Sequence, residues 1–171
     1  PTHSALVSGH LPVPSGVPSP QFQVRVTMVP SVSLLAELST WQSLPTQLEV
    51  NEAVLARGLG RIETFVAASV DKGKMTADDK ARLLANLSGT TAYADLADCD
   101  LVIEAIVEDL GSKQALFQQL DALTGSEVLL GTNTSSMTVS QIASVIPSRD
   151  RVIALHFFNP VLLMQLVEIA P

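Results

Sequence analysis

Three short apolar runs, residues 101–106, 128–131 and 152–157, alternate with two stretches whose apolar residues recur at helical spacing. Strands that are apolar toward both faces and alternate with helices pack as a parallel sheet covered on both sides. The first intervening helix carries Leu110, Leu116, Phe117, Leu120 and Leu123, and the second Val139, Ile142, Ala143 and Ile146. A last run, 166–169, adds a strand. Upstream, residues 48–50 close a short strand, and Asn51 caps a long helix over about 52–72 that stops at Gly73. Thr76 opens a second helix to about Leu87, with Asp79 in place of the usual Glu or Gln of a capping box. Residues 90–93 predict a short strand. The fold class is α/β, a doubly wound parallel sheet.

Composition divides the chain near residue 47. Residues 1–47 hold seven of the ten prolines, eight serines and two charged residues, Arg25 and Glu37. So many prolines are incompatible with long helices or central strands. Residues 1–47 are therefore expected to be a poorly ordered leader, with at most a strand at 22–28 and a helix at 32–41. Residues 48–171 form the domain. The net charge of −7 argues against a nucleic-acid or anionic-membrane binder. No apolar run reaches the ~20 residues a bilayer-spanning helix needs. The single cysteine, Cys99, excludes an intrachain disulfide and a multi-cysteine zinc site, and fits a reducing, cytoplasmic setting. Acidic residues do not fall at metal-ligand spacing, so no metal is expected.

In a parallel α/β sheet, ligands gather where the strands end at their carboxyl side. Polar residues interrupt the pattern there. Glu104 lies inside the first apolar run, followed by Glu108 and Asp109. Thr132 to Ser136 follow the second, and His156 with Asn159 ends the third. His156, with Glu168 as an orienting carboxylate, has two readings: a general base, or a core histidine satisfied by a backbone carbonyl. Residues 133–136 make either a polar site loop or a capped helix entry, with Ser136 or Thr138 as cap. Glu104 is either a buried carboxylate with partners or an outward residue at a strand end. Glu108 and Lys113 need no explanation as surface residues at a helix start. Gly58-Leu59-Gly60 falls within a helix and lacks the third glycine of a dinucleotide loop, so it is rejected as one.

Several separate stretches then agree with one family. Asp100-Leu-Val-Ile-Glu-Ala-Ile-Val-Glu-Asp109, Lys113, Thr132-Asn-Thr-Ser-Ser136, Leu155-His-Phe-Phe-Asn-Pro-Val161 and Leu166-Val-Glu168 resemble the NAD-binding domain of 3-hydroxyacyl-CoA dehydrogenases, in the family's order, over about residues 49–171. The resemblance implies an incomplete Rossmann-like fold, NAD as cofactor and an acyl-CoA substrate. It implies that His156 takes the proton of the substrate hydroxyl, that Glu168 orients His156, that Ser135 bonds the substrate oxygen near the nicotinamide, and that Asn159 shapes the site. It assigns Glu108 and Lys113 to cofactor contact, Glu49 to the adenosine ribose, and Lys72, with Lys74 beside it, to the CoA moiety. It also implies either a homodimer or association with a C-terminal helical domain.

The sequence departs from the family in places. The glycine-rich loop that holds the pyrophosphate has no counterpart in residues 22–47, which contain no glycine, although Thr27-Met28 echo that loop. Such a pattern is expected of a shifted reading frame, of a truncation or of a domain fragment. The family's helical domain would follow Pro171, Leu162 stands where proline is usual, and Gln165 where lysine is frequent. The expectation is weak or no activity from this chain alone. The alternative is a non-enzymatic remnant that acts at most as a binding or assembly module.

Overall fold

A computed structural model describes residues 5–7, 46–158 and 166–171. The predicted strand at 22–28 and helix at 32–41 lie outside the described residues. The elements, in chain order, are β1 (Ala5–Val7), β2 (Thr46–Leu48), α1 (Glu52–Asp71), α2 (Ala77–Asn86), β3 (Ser88–Thr90), β4 (Leu101–Glu104), α3 (Leu110–Leu123), β5 (Leu129–Thr132), α4 (Val139–Ala143), β6 (Val152–Phe157) and β7 (Val167–Ala170). Short 3-10 turns occupy Tyr93–Leu96 and Arg149–Arg151.

The alternating runs form the sheet they predict, with one addition. β4, β5 and β6 are parallel neighbours, while β7 pairs antiparallel with β6, and β1 antiparallel with β7. β2 and β3 form a separate parallel pair. The expected boundary at residue 47/48 falls inside β2.

Successive strand residues point to opposite faces, and each face meets its own helices. Leu48, Val102, Leu130 and Val152 pack with Leu116, Phe117 and Leu120 of α3 and with Ile142 and Ala143 of α4. Ile103 and Leu155 pack with Ile62 and Val66 of α1, joined by Leu83 and Leu84 of α2. Helices thus cover both faces of the sheet. Gly58 lets α1 approach Gln47 of β2: a Cβ there would lie 2.4 Å from Gln47 Nε2, so the end of that side chain would have to move. The sequence Gly58-Leu59-Gly60 is helical, as expected.

Local chemistry sets the ends of these elements. Asn51 accepts from Val54 N at the start of α1, and Gly73, at φ 66°, terminates it. Thr76 accepts from Asp79 N, and its hydroxyl donates back to the Asp79 carboxylate at 2.6 Å, so aspartate serves at that position of the box. Of the two caps considered for the helix after β5, Thr138 is the one used, in a full capping box with Gln141.

Four elements have a boundary two residues or more from the sequence expectation. The strand expected at 48–50 is displaced to Thr46–Leu48, because Asn51 must turn the chain into α1, leaving Val50 78% exposed. The strand expected at 90–93 ends at Thr90, whose hydroxyl accepts from Ala92 N and bends the chain into a 3-10 turn. The run 101–106 stops at Glu104, since its carboxylate accepts from Ile106 N and curls the chain away. The helix expected to reach Ile146 ends at Ala143, although Ile146 remains in the core.

Candidate active site

His156 and Glu168 face each other across β6 and β7. The antiparallel register pairs them directly, and Nδ1 of His156 lies 3.5 Å from Oε2 of Glu168. The imidazole is 23% exposed and the carboxylate 43%, so both reach solvent on the same sheet face. Phe158 stacks obliquely on the ring, with centroids 4.7 Å apart. The imidazole is thus part-exposed beside a carboxylate rather than enclosed in the core.

A second cluster joins β4, α3 and the loop after β5. Glu104 shares its face of β4 with Val102, and Lys113 begins the buried stripe of α3 that continues through Leu116, Phe117 and Leu120. Both side chains are fully buried. Lys113 Nζ donates to both carboxylate oxygens of Glu104, at 2.9 Å each. Glu104 also accepts from the Thr132 hydroxyl, its register partner on β5, and from Ile106 N at 3.1 Å. Glu104 is therefore the buried carboxylate with partners.

Lys113 Nζ also lies 3.2 Å from the carboxylate of Glu108, the more exposed member. Glu108 accepts from the hydroxyls of Thr134 and, at 2.8 Å, Ser136. Partial burial pushes the Glu108 carboxyl upward, but the hydrogen bonds from Thr134, Ser136 and Lys113 outweigh it and hold the group at about 2, against an ordinary 4.5. Ser135 stands exposed between the two residues that Glu108 grips.

Asn133 connects the clusters. Its amide N donates to Glu104 O, and its side-chain oxygen accepts from Phe157 N, next to His156, at 2.9 Å. The other proposed residues lie apart. Glu49 is buried at the end of β2, where Gln47 Nε2 donates to it at 3.0 Å. Among the described residues, the buried Gln47 Oε1 has no hydrogen-bond partner. Lys72 and Lys74 are exposed at the end of α1, and Asn159 lies outside the described residues.

The sequence reading missed Gln47 and the joining roles of Thr132, Thr134 and Asn133. Two signals bear on the buried pair. Glu104 is two residues from Val102 on a strand, and Lys113 is three and four residues before Leu116 and Phe117 on a helix. Each charge thus lies in phase with a core face, where an unpaired one is not tolerated.

The sequence profile of the 3-hydroxyacyl-CoA dehydrogenase NAD-binding domain matches residues 34–171. The chain belongs to the 3-hydroxyacyl-CoA dehydrogenase family. It is similar to a 3-hydroxybutyryl-CoA dehydrogenase of Clostridioides difficile, 42% identical over 118 residues, which are 69% of this chain and 42% of that protein. It is also similar to a glyoxysomal fatty acid beta-oxidation multifunctional protein of Brassica napus, 36% identical over 121 residues, or 71% of this chain and 17% of that one. The crystal structure of 3-hydroxybutyryl-CoA dehydrogenase from Escherichia coli K12 superimposes with a TM-score of 0.79 at 33% identity, covering 84% of this chain and 31% of that one. The chain therefore spans less than half the length of these 3-hydroxyacyl-CoA dehydrogenase relatives. Within that span the fold is the Rossmann-type α/β fold of an NAD-binding oxidoreductase domain.

The residues at the strand ends fit that cofactor. Glu49 keeps a carboxylate at the end of β2, an acceptor of the chemistry a ribose hydroxyl would need.

Proposed function

We propose that this domain takes part in the NAD-dependent oxidation of a 3-hydroxyacyl-CoA to the 3-oxoacyl-CoA, or its reverse. The observation that carries the proposal is the His156–Glu168 pair. A carboxylate beside Nδ1 favours the tautomer with the proton on that nitrogen and leaves Nε2 as the base. Nε2 takes the proton of the substrate's 3-hydroxyl, and Glu168 stabilises the imidazolium that forms. NAD, when bound, supplies the hydride acceptor for the carbinol carbon.

Ser135 donates to the substrate oxygen from its exposed place in the loop, and Asn159 helps shape the site. Glu49 and Glu108 hold the cofactor, with the acidic Glu49 favouring NAD over the 2′-phosphorylated cofactor through repulsion. Lys113, being fully buried, acts through the carboxylate of Glu108. Lys72 meets the anionic CoA moiety from the end of α1. Slow turnover or none is expected of these residues alone, because catalysis depends on precise positioning and they span 42% of the length of the Clostridioides difficile relative.

Titration of the purified chain with NAD, alongside an assay of 3-hydroxybutyryl-CoA oxidation, tests this. Saturable, sub-millimolar NAD binding is expected. Its absence would overturn the proposal in favour of a non-enzymatic remnant that serves at most as a binding or assembly module.

A further inference from the structure

We infer that Glu104 is a positioning residue for the Ser135 loop, acting through Lys113 and Glu108 on one side and through Thr132 on the other. The catalytic meaning of this role rests on the dehydrogenase reading, in which Ser135 meets the substrate.

Glu104 and Lys113 occupy places where the packing calls for apolar side chains. Glu104 continues the face of β4 that buries Val102, and Lys113 opens the stripe of α3 that buries Leu116, Phe117 and Leu120. A buried ion pair is commonly no more stabilising than well-packed apolar residues of similar volume. Stability alone therefore does not account for it, whereas direction does. Each group is satisfied by several partners at fixed angles, which an apolar pair cannot impose.

The bonds lead outward in one direction. Lys113 spans the fully buried Glu104 and the part-exposed Glu108. Glu108 accepts hydrogen bonds from the hydroxyls of Thr134 and Ser136, the two neighbours of Ser135. Thr134 in turn uses its oxygen to accept from Ser136 N at 3.3 Å and Met137 N at 3.2 Å. At the other end the Glu104 carboxylate accepts from the Thr132 hydroxyl, and the side chain of the next residue, Asn133, accepts from Phe157 N beside His156. One buried carboxylate thus reaches both flanks of Ser135 through Lys113 and Glu108, and through Thr132 holds the residue before Asn133, which bonds the strand that carries the base.

Two variants of the full chain test this: Glu104→Gln, and the double substitution Glu104→Met with Lys113→Met. The readout is amide hydrogen exchange at Met137 and Phe157, set against amides of α3 and β5, together with thermal stability. In Glu104→Gln, exchange at Met137 and Phe157 is expected to accelerate by about tenfold or more relative to the reference amides. In the Met pair, stability is expected to recover while the two reporter amides stay fast. If loop protection returns along with stability, or never changes, Glu104 is packing only and the inference fails. Should Glu104→Gln not fold, the Met pair decides by the same readout. None of these measurements requires turnover. A wild-type chain that fails to bind NAD would sink the dehydrogenase reading while leaving the role of Glu104 to the exchange data.

Discussion

At the scale of single residues, the chemistry depends on charges held by neutral donors and by opposite charges. His156→Gln keeps a similar volume and loses the base. It is expected to lower any measured turnover by about 10² to 10⁴ with little change in melting temperature. An unchanged rate would remove His156 from the mechanism. Glu108 allows a pH prediction. Its carboxyl is held at about 2 in the fold, below the ordinary 4.5, so its contribution to stability is complete above about 4.5 and is lost as pH falls through about 2. The stability difference between wild type and Glu108→Gln, followed by denaturant melts, should therefore narrow on acidification across that window. A difference that stays constant from neutral pH to pH 2 would contradict the hydrogen-bonded Glu108 described above. These roles were only half visible in the sequence. The motif points to His156 and Glu168, and their direct pairing needs the antiparallel register of β6 and β7.

At the scale of elements, α3 contributes most to one face of the sheet. Phe117 is fully buried between Leu116, Leu120 and the strand residues Val102 and Leu130. Phe117→Ala leaves a cavity and is expected to cost about 3–5 kcal/mol, measured by denaturant unfolding. Arg151 ties the end of α3 to the start of β6: its guanidinium donates to Asp121, Thr124, Gly125 O and Val128 O. Truncating it to alanine would strand those buried acceptors, with an expected loss of about 3–5 kcal/mol. A change below 1 kcal/mol would mean that solvent reaches those acceptors. Periodicity found α3 and the strands well. Element ends were less legible, because Glu104, Thr90 and Thr138 terminate or start elements through side-chain bonds whose choice among several candidates depends on neighbours.

At the scale of the whole molecule, the five-stranded sheet and the β2–β3 pair differ in support. β3 is three residues long and mostly exposed, while β5 is flanked by parallel neighbours and buried apart from Leu129. Amides of β3 are expected to exchange through smaller openings than those of β5, and equal protection would show that the two sheets open as one unit. From the sequence alone came the fold class, the order of strands and helices, the family and the candidacy of His156 and Glu168, because hydrophobic period and motif spacing are local properties of a chain. Tertiary structure decided the antiparallel direction of β7, the burial of Glu104 with Lys113, and the grip of Glu108 on the Ser135 loop. Those depend on which faces meet across distant segments, and a buried charge shows its purpose only when its partners are in place.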